Sequence, residues 1–399
     1  MWQIRRVLSV GACILTGVLA WGGVTARADH DRGDDGRDER GERGPRKVFV
    51  IAMENHNWTQ PASVTSPQQI FMNPAAPFIN SLVNGTSGIS SEVSYATNYV
   101  NAGLGVHPSE PNYVWAEAGQ AFNSIGTDAD PYAKGPTPPM CTVVTSVTTD
   151  QHLSAFLMKA HKTWRSYQED VNVDVMTNTP LPVASWTSPI FSISGNFTGG
   201  LNAYNYATQY NYAAKHNPMI FFADTNFGCP AAKTTEYPPL QQLALDLQSN
   251  HLADYTWITP NQFNDQHTKL SAGYGMFVPA SDQSAIAQGD NFLARVVPMI
   301  MASDAYQDGA AIVLWWDESE GGDTADFKLP FIVISKNAHT NVGGLPYASD
   351  VQYSHSSFLR TMQIIFDVDP DDGYPFLGAA ATANDLSALF RPGAIRDRH

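Results

Sequence analysis

The chain has 399 residues, of which 43% are hydrophobic and 15% charged, and its formal net charge at pH 7 is −15. An acidic chain is electrostatically unsuited to nucleic acid and to an anionic bilayer, so we predict neither as a partner. A phosphate substrate remains compatible with this charge, provided that a bound cation or local hydrogen-bond donors reverse the field at one site.

The first 28 residues have the layout of a secretory signal peptide. Residues 5–6 are a pair of arginines, residues 7–21 are mostly apolar, and Ala-Arg-Ala at 26–28 is a cleavage signature. A stable membrane anchor, the alternative, is disfavoured because the apolar run is short and small residues follow it. We therefore predict a secreted or periplasmic protein, with a mature charge near −18 because three arginines and no acid leave with the leader.

The next segment, 29–47, is rich in charge and glycine and has no aliphatic or aromatic residue. Such a segment cannot bury apolar surface, so we predict a disordered linker. The composition becomes that of a globular protein at Val48. We predict one domain over 48–390 and a C-terminal tail over 391–399, since α/β domains reach this size through insertions.

Continuous apolar runs predict the buried strands of a parallel sheet, because such strands have no solvent-facing side. Four runs stand out, at 48–53, 218–223, 310–316 and 330–335. Segments with helical spacing lie between and after them, at 76–85, 150–164, 238–250, 289–303 and 356–368. This alternation predicts an α/β fold with a mostly parallel central sheet and helices on both faces.

Polar side chains follow two of these strands at the point where each strand ends. Glu54 and Asn55 follow the run at 48–53, and Asp317 and Glu318 follow the run at 310–316. Ligands of open α/β sheets bind at the carboxyl ends of strands, and carboxylate and amide oxygens suit a hard divalent cation. We predict a divalent metal site here, although a solvated acidic turn would explain the late pair by itself.

The stretch "HPSEPNYVWAEAGQ" predicts a helix over 110–119, with Ser109 as its N-cap and Pro111 in its first turn. A hydroxyl at a helix N-terminus lies beside unpaired backbone N–H groups and the positive end of the helix dipole. Both favour a phosphate oxyanion. Ser109 is therefore a candidate nucleophile, and the alternative is that it only caps the helix.

Three further histidines lie where elements begin or end. His216 precedes the run at 218–223, His267 follows a short strand that begins at Tyr255, and His355 precedes the last helix. A lone histidine in a loop is more often structural than catalytic, so each of these signals is weak alone. Their convergence with the acidic pairs is what favours a site.

Cys13 would leave with the signal peptide, so Cys141 and Cys229 remain in the mature chain. An even pair in an exported protein predicts a disulfide. Metal ligation by these cysteines is disfavoured because they are far apart in sequence and lack CxxC spacing.

Eight segments together resemble the bacterial and fungal phosphoesterase family that contains acid phosphatases and phosphatidylcholine-type phospholipases C, within the alkaline phosphatase superfamily. The resemblance covers most of the chain from Lys47 to about Asp369. In chain order the segments are "VFVIAMENHNW", "APFINSLV", "HPSEPNY", "KTWRSYQED", "KHNPMIFF", "ITPNQFNDQH", "VLWWDESEGG" and "YSHSSFLRT".

The resemblance implies an alkaline-phosphatase-like sandwich and metal-dependent hydrolysis of phosphoric esters. It implies that Glu54, Asn55, Asp317 and Glu318 bind the metal and that Ser109 forms a phosphoseryl intermediate. The ligand oxygens leave calcium, magnesium, manganese and iron open, whereas a zinc pair would need more histidine ligands.

The resemblance also implies roles for the remaining polar residues of these motifs. His267 and His355 are the candidates for proton transfer, and His107, Asn112 and His216 are the candidates for phosphate contact. Asp323 and Asp326 follow the late acidic pair where members of the family often have a histidine, and their role is left open.

The sequence after the first strand departs from that of the phospholipase C branch. Members of that branch have a segment similar to "ENRSFDHYFG" where this chain has "ENHNWTQP". We therefore predict an acid-phosphatase-type monoesterase acting on a small phosphate ester. A phospholipase C or other phosphodiesterase is the first alternative, with a phospholipid as substrate and the aromatic-rich segment 185–217 as a cleft wall. An exported binding protein of the same fold, without turnover, is the second.

Overall fold

The computed structural model describes residues 44–122, 124, 128, 132–134, 141–143, 147–171, 173–174, 179–180, 212–226 and 235–396. The strands are β1 Val48–Met53, β2 Val93–Ala96, β3 Tyr132–Lys134, β4 Cys141–Val143, β5 Trp164–Gln168, β6 Val173–Asp174, β7 Thr179–Pro180, β8 Tyr255–Thr259, β9 Ala311–Trp316, β10 Phe331–Ser335, β11 Thr340–Asn341 and β12 Leu345–Ser349. The α-helices are α1 Pro77–Val83, α2 Ser109–Ala118, α3 Leu153–Lys159, α4 Gln241–Gln248, α5 Asp282–Met301, α6 Asp304–Gln307 and α7 His355–Ile365.

Several predictions concern parts of the chain outside these residues. The signal peptide, most of the charged linker and most of the aromatic-rich segment 185–217 are among them. The disulfide is as well, because Cys229 lies outside the described residues.

One eight-stranded sheet organises the described residues, in the order β11-β12-β2-β10-β9-β1-β8-β5. The strands β12, β2, β9, β1, β8 and β5 all run in one direction, whereas β10 is antiparallel to both of its neighbours and β11 is antiparallel to β12. The predicted mostly parallel sheet is confirmed. It follows that the carboxyl ends of β9, β1 and β8, which are adjacent, lie at the same edge.

Both faces of the sheet are buried, as the continuous apolar runs predicted. In β1, Val48, Val50 and Ala52 face a core that includes side chains of α2, α3 and α7. Phe49 and Ile51 face the opposite core, which includes side chains of α1, α4 and α5. Helices therefore cover both faces, and the sheet is held rigidly between two apolar layers.

The strand predicted at 218–223 is wrong. Residues Pro218–Phe221 form a 3₁₀ turn instead, and Phe222 makes only an isolated bridge to Val147. Pro218 has no N–H to donate to a ladder but fits the first turn of a helix. The run is apolar because it packs into the core beside α2, and a short buried run does not distinguish a helical turn from a strand.

Helix α5 begins seven residues before the predicted start at 289. Ser281 is its N-cap and forms a capping box with Ser284, in which each side chain binds the other residue's backbone N–H. The helix continues past Pro298 to Met301. Among the described residues, no helix combines the length and apolar character needed to cross a bilayer.

Asp290 on α5 links this helix to α1 in the core that Phe49 and Ile51 face. Its carboxylate accepts hydrogen bonds from the backbone N–H groups of Phe78 at 3.0 Å and Ile79 at 2.8 Å, in the first turn of α1. Burial raises the pKa of Asp290 to about 7, although both N–H donors favour its charged form. The native state therefore binds this proton more tightly than the unfolded chain does.

The sign of this shift predicts a pH effect on stability. Between about pH 4 and pH 7 the unfolded state has lost the Asp290 proton and the native state has not, so stability should fall as pH rises. Relative to Asp290→Asn, the free energy of unfolding should fall by on the order of 3 kcal/mol across this window. Urea titrations at several pH values would measure it, with Asp304→Asn, an exposed aspartate, as control. A free energy of unfolding of the native protein that rises with pH, relative to that of Asp290→Asn, would contradict the prediction.

Candidate active site

The carboxyl ends of β1 and β9 place two acidic pairs side by side. The strands pair in parallel with Met53 opposite Trp316, so Glu54 and Asp317 emerge together at the edge of the sheet. Asn55 turns the chain with a φ of 37°, a left-handed conformation that asparagine tolerates. This turn aims the Asn55 backbone N–H at Asp317 Oδ1, 3.0 Å away.

Helix α2 brings a hydroxyl to the same point. Ser109 Oγ donates to Glu54 Oε2 at 2.9 Å and lies 3.4 Å from Glu318 Oε1. Tyr113, one helical turn later on the same face, donates from its hydroxyl to Glu54 Oε1 at 2.5 Å. Both oxygens of Glu54 are thus held by α2.

Ser109 is the first residue of α2, and the prediction that it is the N-cap is wrong. The N-cap position is Pro108, and no side chain in that position caps the helix. The Ser109 hydroxyl is directed at the acidic cluster, where Glu54 is the closest acceptor. The hydroxyl is therefore oriented for contact with the cluster, at the end of the helix where backbone N–H groups have no acceptor within the helix.

A third group comes from the neighbouring strand β8 and from the turn before Pro218. Glu54, His216 and Asp265 offer ligand atoms that all lie within 4.8 Å of one another, and all three residues are buried. His216 Nε2 is 3.3 Å from Glu54 Oε1, and its Nδ1 is 3.8 Å from Asp265 Oδ2. His216 Nε2 and Asp265 Oδ2 have no hydrogen-bond partner among the described residues.

The cluster contains more buried negative charge than the described protein groups neutralise. Burial, followed by the charges of Asp317 and Asp265, raises the pKa of Glu54 well above its usual range. Burial and the adjacent Glu318 do the same for the pKa of Asp317. Carboxylates buried this closely are normally paired with cations or bound to metals.

The donor set fits a divalent cation. The Asn55 side-chain amide lies 3.0–3.2 Å from Glu54 Oε2 and from both carboxylate oxygens of Asp317. With its oxygen on that side the amide faces only acceptors, which is the orientation of an oxygen ligand sharing a cation with the two carboxylates. With its nitrogen on that side it donates to both, and it then stands in for the cation's positive charge.

His107 connects the cluster to a second acidic group. Its Nδ1 contacts Glu318 Oε2, and its Nε2 lies 2.8 Å from both oxygens of Asp323. The hydrogen bond to Glu318 raises the pKa of His107 to about 9, against partial burial and with further help from Asp323. Beyond this pair lies a cavity of about 410 Å³, lined by residues that include Leu104, Asp323 and Phe327.

The structure encloses His355 in the core behind Asp317. Its Nε2 contacts the Asp317 backbone oxygen, and its Nδ1 is 3.0 Å from both Tyr99 OH and Trp315 Nε1. Burial lowers the pKa of His355 to about 3, so the ring is neutral near pH 7. In this geometry the ring supports the turn that carries Asp317.

The remaining predicted residues lie at opposite sides of the cluster. Asn112 donates to the Val106 backbone oxygen at 3.0 Å and lies 3.5 Å from Glu318 Oε2. His267 lies close enough to His216 for their charges to interact, and its ring keeps some solvent-accessible surface although neighbouring groups remove much of its solvation. Loss of solvation and then the charge of Lys215 lower the pKa of His267 to about 4.

Sequence reasoning assigned no role to three residues that the structure places at the cluster: Tyr113, Asp265 and Lys215. Tyr113 could have been found from its position four residues after Ser109 on the same helix. Asp265 lies in the segment "ITPNQFNDQH", six residues after the end of β8, which neighbours β1. Lys215 is the first residue of the segment "KHNPMIFF", but no local periodicity indicates that its side chain lies at the cluster.

The loop that carries Asp265 rests on α5. A Cβ added to Gly289 would meet Gln266 Cγ at 2.2 Å and Met53 Cε at 2.8 Å. Gln266 in turn accepts a hydrogen bond from Trp316 Nε1 at 2.9 Å. Close approach of α5 at Gly289 therefore supports the ends of β1, β8 and β9 together.

Comparison with known proteins gives a family match over most of the chain. The model of the phosphoesterase family matches residues 53–369. The phosphatidylinositol-3-phosphatase of Mycobacterium tuberculosis is 24% identical over 330 residues, which is 83% of this chain and 80% of that protein. The phosphate-repressible acid phosphatase of Penicillium chrysogenum is 23% identical over 241 residues, 60% of this chain and 44% of that protein. The chain thus spans less than half the length of the fungal acid phosphatase.

Solved structures give weaker similarities. A protein of the alkaline phosphatase superfamily from Vibrio parahaemolyticus has a TM-score of 0.44 at 13% identity, covering 89% of this chain and 73% of that chain. The lipoteichoic acid synthase LtaP from Listeria monocytogenes has a TM-score of 0.45 at 9% identity, covering 86% and 77%.

Glu54→Gln tests whether the cluster binds a cation, because it removes one buried charge and keeps the side-chain size. In chelator the variant should unfold at a higher temperature than the native protein, since repulsion from Asp317 and Asp265 is relieved. An added divalent cation should raise the unfolding temperature of the native protein by several degrees and that of the variant much less.

Thermal unfolding with and without magnesium, calcium, manganese, iron and zinc salts measures both effects. Glu320→Gln is the control, because Glu320 is exposed and next to the cluster in sequence. Equal stabilisation of Glu54→Gln and the native protein by every cation would contradict the prediction.

Proposed function

The chain belongs to the phosphoesterase family, and from this premise we propose that it is a metal-dependent hydrolase of phosphoric monoesters. The observation that carries the proposal is the Ser109 hydroxyl, held 2.9 Å from Glu54 at the first residue of a helix. The serine hydroxyl, the buried acidic cluster that suits a cation and the helix N-terminus would together supply the positioning and charge stabilisation that phosphoryl transfer needs.

The divalent cation would be held by Glu54, Asn55, Asp317 and Glu318. When bound, it supplies positive charge that favours the serine alkoxide and neutralises the phosphoryl oxygens. The buried carboxylates and the Asn55 amide that faces them support this assignment. His216 and Asp265 border Glu54 from the side of β8 and add to the donor set.

Ser109 would attack phosphorus and form a phosphoserine, with release of the alcohol. Glu54 would keep the attacking oxygen in place, because it accepts the Ser109 hydroxyl on one carboxylate oxygen while Tyr113 holds the other. The backbone N–H groups of the first turn of α2 would hold phosphoryl oxygens, since they have no partner within the helix. Water would then hydrolyse the phosphoserine and regenerate the hydroxyl.

His267 is the better candidate for protonating the leaving group. It is exposed beside the cluster, whereas both ring nitrogens of His355 have partners in the core. We therefore propose that His355 is a positioning residue that orients Asp317. With a pKa of about 4, His267 carries its proton only in acid, which suits an enzyme that works at low pH.

A monoester is favoured over a diester because the sequence after β1 departs from the phospholipase C branch of the family, and because two of the similar proteins are acid phosphatases. The cavity of about 410 Å³ beyond His107 and Asp323 could hold the alcohol part of one ester. Because the chain is similar to a phosphatidylinositol-3-phosphatase, a phosphate monoester on a lipid is also a candidate substrate. Export to the periplasm or the medium belongs to the proposal and rests on residues 1–28.

Ser109→Ala should lower kcat for p-nitrophenyl phosphate by about 10³-fold or more, because the nucleophile is lost. The variant should still bind the divalent cation, since the four proposed ligands are intact. Acid-quenched native protein should give a phosphopeptide that contains Ser109, and the variant should not. Ser154→Ala, a buried serine on α3, is the control. Near-native turnover by Ser109→Ala would exclude the proposed nucleophile.

His267→Asn should affect substrates according to their leaving groups. Glycerol phosphate needs a proton on its leaving oxygen and should lose about 10²-fold or more in kcat, whereas p-nitrophenyl phosphate should lose much less. With glycerol phosphate, the native rate should fall as pH rises above about 4, because the protonated form of His267 is lost. The variant should lack this limb. Equal losses on both substrates would argue against a proton-donor role.

A further inference from the structure

One carboxylate outside the acidic cluster accepts hydrogen bonds from two donors, a lysine ammonium next to His216 and a backbone N–H next to Ser109. Asp128 Oδ2 accepts a hydrogen bond from Lys215 Nζ at 2.5 Å. Asp128 Oδ1 accepts one from the backbone N–H of Glu110 at 3.2 Å. The two oxygens of a single carboxylate therefore span the distance between the ammonium and the first turn of α2.

Both donors belong to segments that form the proposed active site. Glu110 directly follows Ser109, and its backbone N–H, which donates to Asp128, belongs to the first turn of α2, where N–H groups have no acceptor within the helix. Lys215 directly precedes His216, whose Nε2 lies 3.3 Å from Glu54. His216 is 1% exposed and this nitrogen has no hydrogen-bond partner in the described part of the chain. Lys215 and α2 thus converge next to the acceptor of the nucleophile.

A phosphoryl group presents to such donors the same features as a carboxylate. Each has two anionic oxygens on one central atom, and each is bound well by a lysine ammonium and by backbone N–H groups at a helix N-terminus. An anion that fits one of them at this position fits the other.

We propose that Lys215 Nζ and the Glu110 N–H form a binding site for two phosphoryl oxygens, and that the Asp128 carboxylate is an internal anion that competes with phosphate for this site. The proposal rests on the proposed phosphatase function only in naming the phosphoryl group of the substrate as the anion that this site binds. Binding of inorganic phosphate can be measured whether or not the protein hydrolyses esters.

The electrostatics of Lys215 agree with this placement. Burial works against its charge, but the carboxylates of Glu54, Asp128 and Asp317 together raise the pKa of Lys215, so the ammonium stays protonated. Its charge in turn reaches the cluster, where it opposes the rise in the pKa of Glu54. Lys215 is thus a positively charged group whose ammonium binds an anionic carboxylate, that of Asp128.

The alternative role for Asp128 is a structural cap on α2, because Pro108 supplies no side-chain cap. The two roles predict different changes in phosphate affinity when the charge of Asp128 is removed. A competing anion predicts tighter binding, whereas a cap predicts unchanged or weaker binding. Asp128→Asn separates them, since an asparagine oxygen can still accept from Glu110 while the negative charge beside Lys215 is gone.

The experiment is isothermal titration of the full chain with inorganic phosphate, together with phosphate inhibition of p-nitrophenyl phosphate hydrolysis. Asp128→Asn should tighten phosphate binding by roughly tenfold, because a charge-assisted competitor is lost. Lys215→Met should weaken it by a similar factor, in the native background and in the Asp128→Asn background. Asp150→Asn and Lys159→Met are matched controls, because they disrupt an exposed lysine–aspartate pair of 2.7 Å outside the site.

Thermal unfolding of each variant separates folding defects from binding. Unchanged or weaker phosphate binding by Asp128→Asn, with or without loss of stability, would overturn the proposal and favour the cap. Phosphate binding that is insensitive to Lys215→Met would overturn it as well. If the variants shift phosphate affinity as expected but no ester is hydrolysed, the anion site stands and the proposed function fails.

Discussion

The site depends on the Glu54 carboxylate, which receives the Ser109 hydroxyl on one oxygen and the Tyr113 hydroxyl on the other. This carboxylate is fully buried next to Asp317 and Asp265, so its charge is unfavourable unless something positive is shared among them. The same interaction that orients the proposed nucleophile therefore also favours a cation beside it. In the proposed function, the nucleophile and the metal site are linked through this one side chain.

The fold makes this concentration of charge possible because it is rigid around the cluster. Strands β9, β1 and β8 are adjacent and parallel, so the segments that follow their carboxyl ends bring four acidic side chains to one edge. Helix α5 approaches closely at Gly289 and supports the loop that carries Asp265. His355 supports the turn of Asp317 from behind. Apolar packing on both faces of the sheet provides the stability that buried like charges remove.

Sequence patterns predicted most of this architecture, and the exceptions have physical reasons. The runs at 48–53, 310–316 and 330–335 are strands within a residue of the predicted bounds. The run at 218–223 is a 3₁₀ turn, because burial alone makes a segment apolar whichever backbone it adopts. Helix α5 begins earlier than periodicity indicated, because the Ser281 capping box decides the start.

The sequence by itself determined which chemical groups are present and on which strand ends they lie: acids after β1 and β9, and a serine at the head of α2. Local patterns suffice for this, because strand burial and helix starts depend on nearby residues. Only the tertiary structure decided which groups meet. It joined Asp265 to Glu54, turned His355 into the core and set Asp128 between Lys215 and Glu110. Such contacts join segments far apart in the chain, so no local periodicity records them.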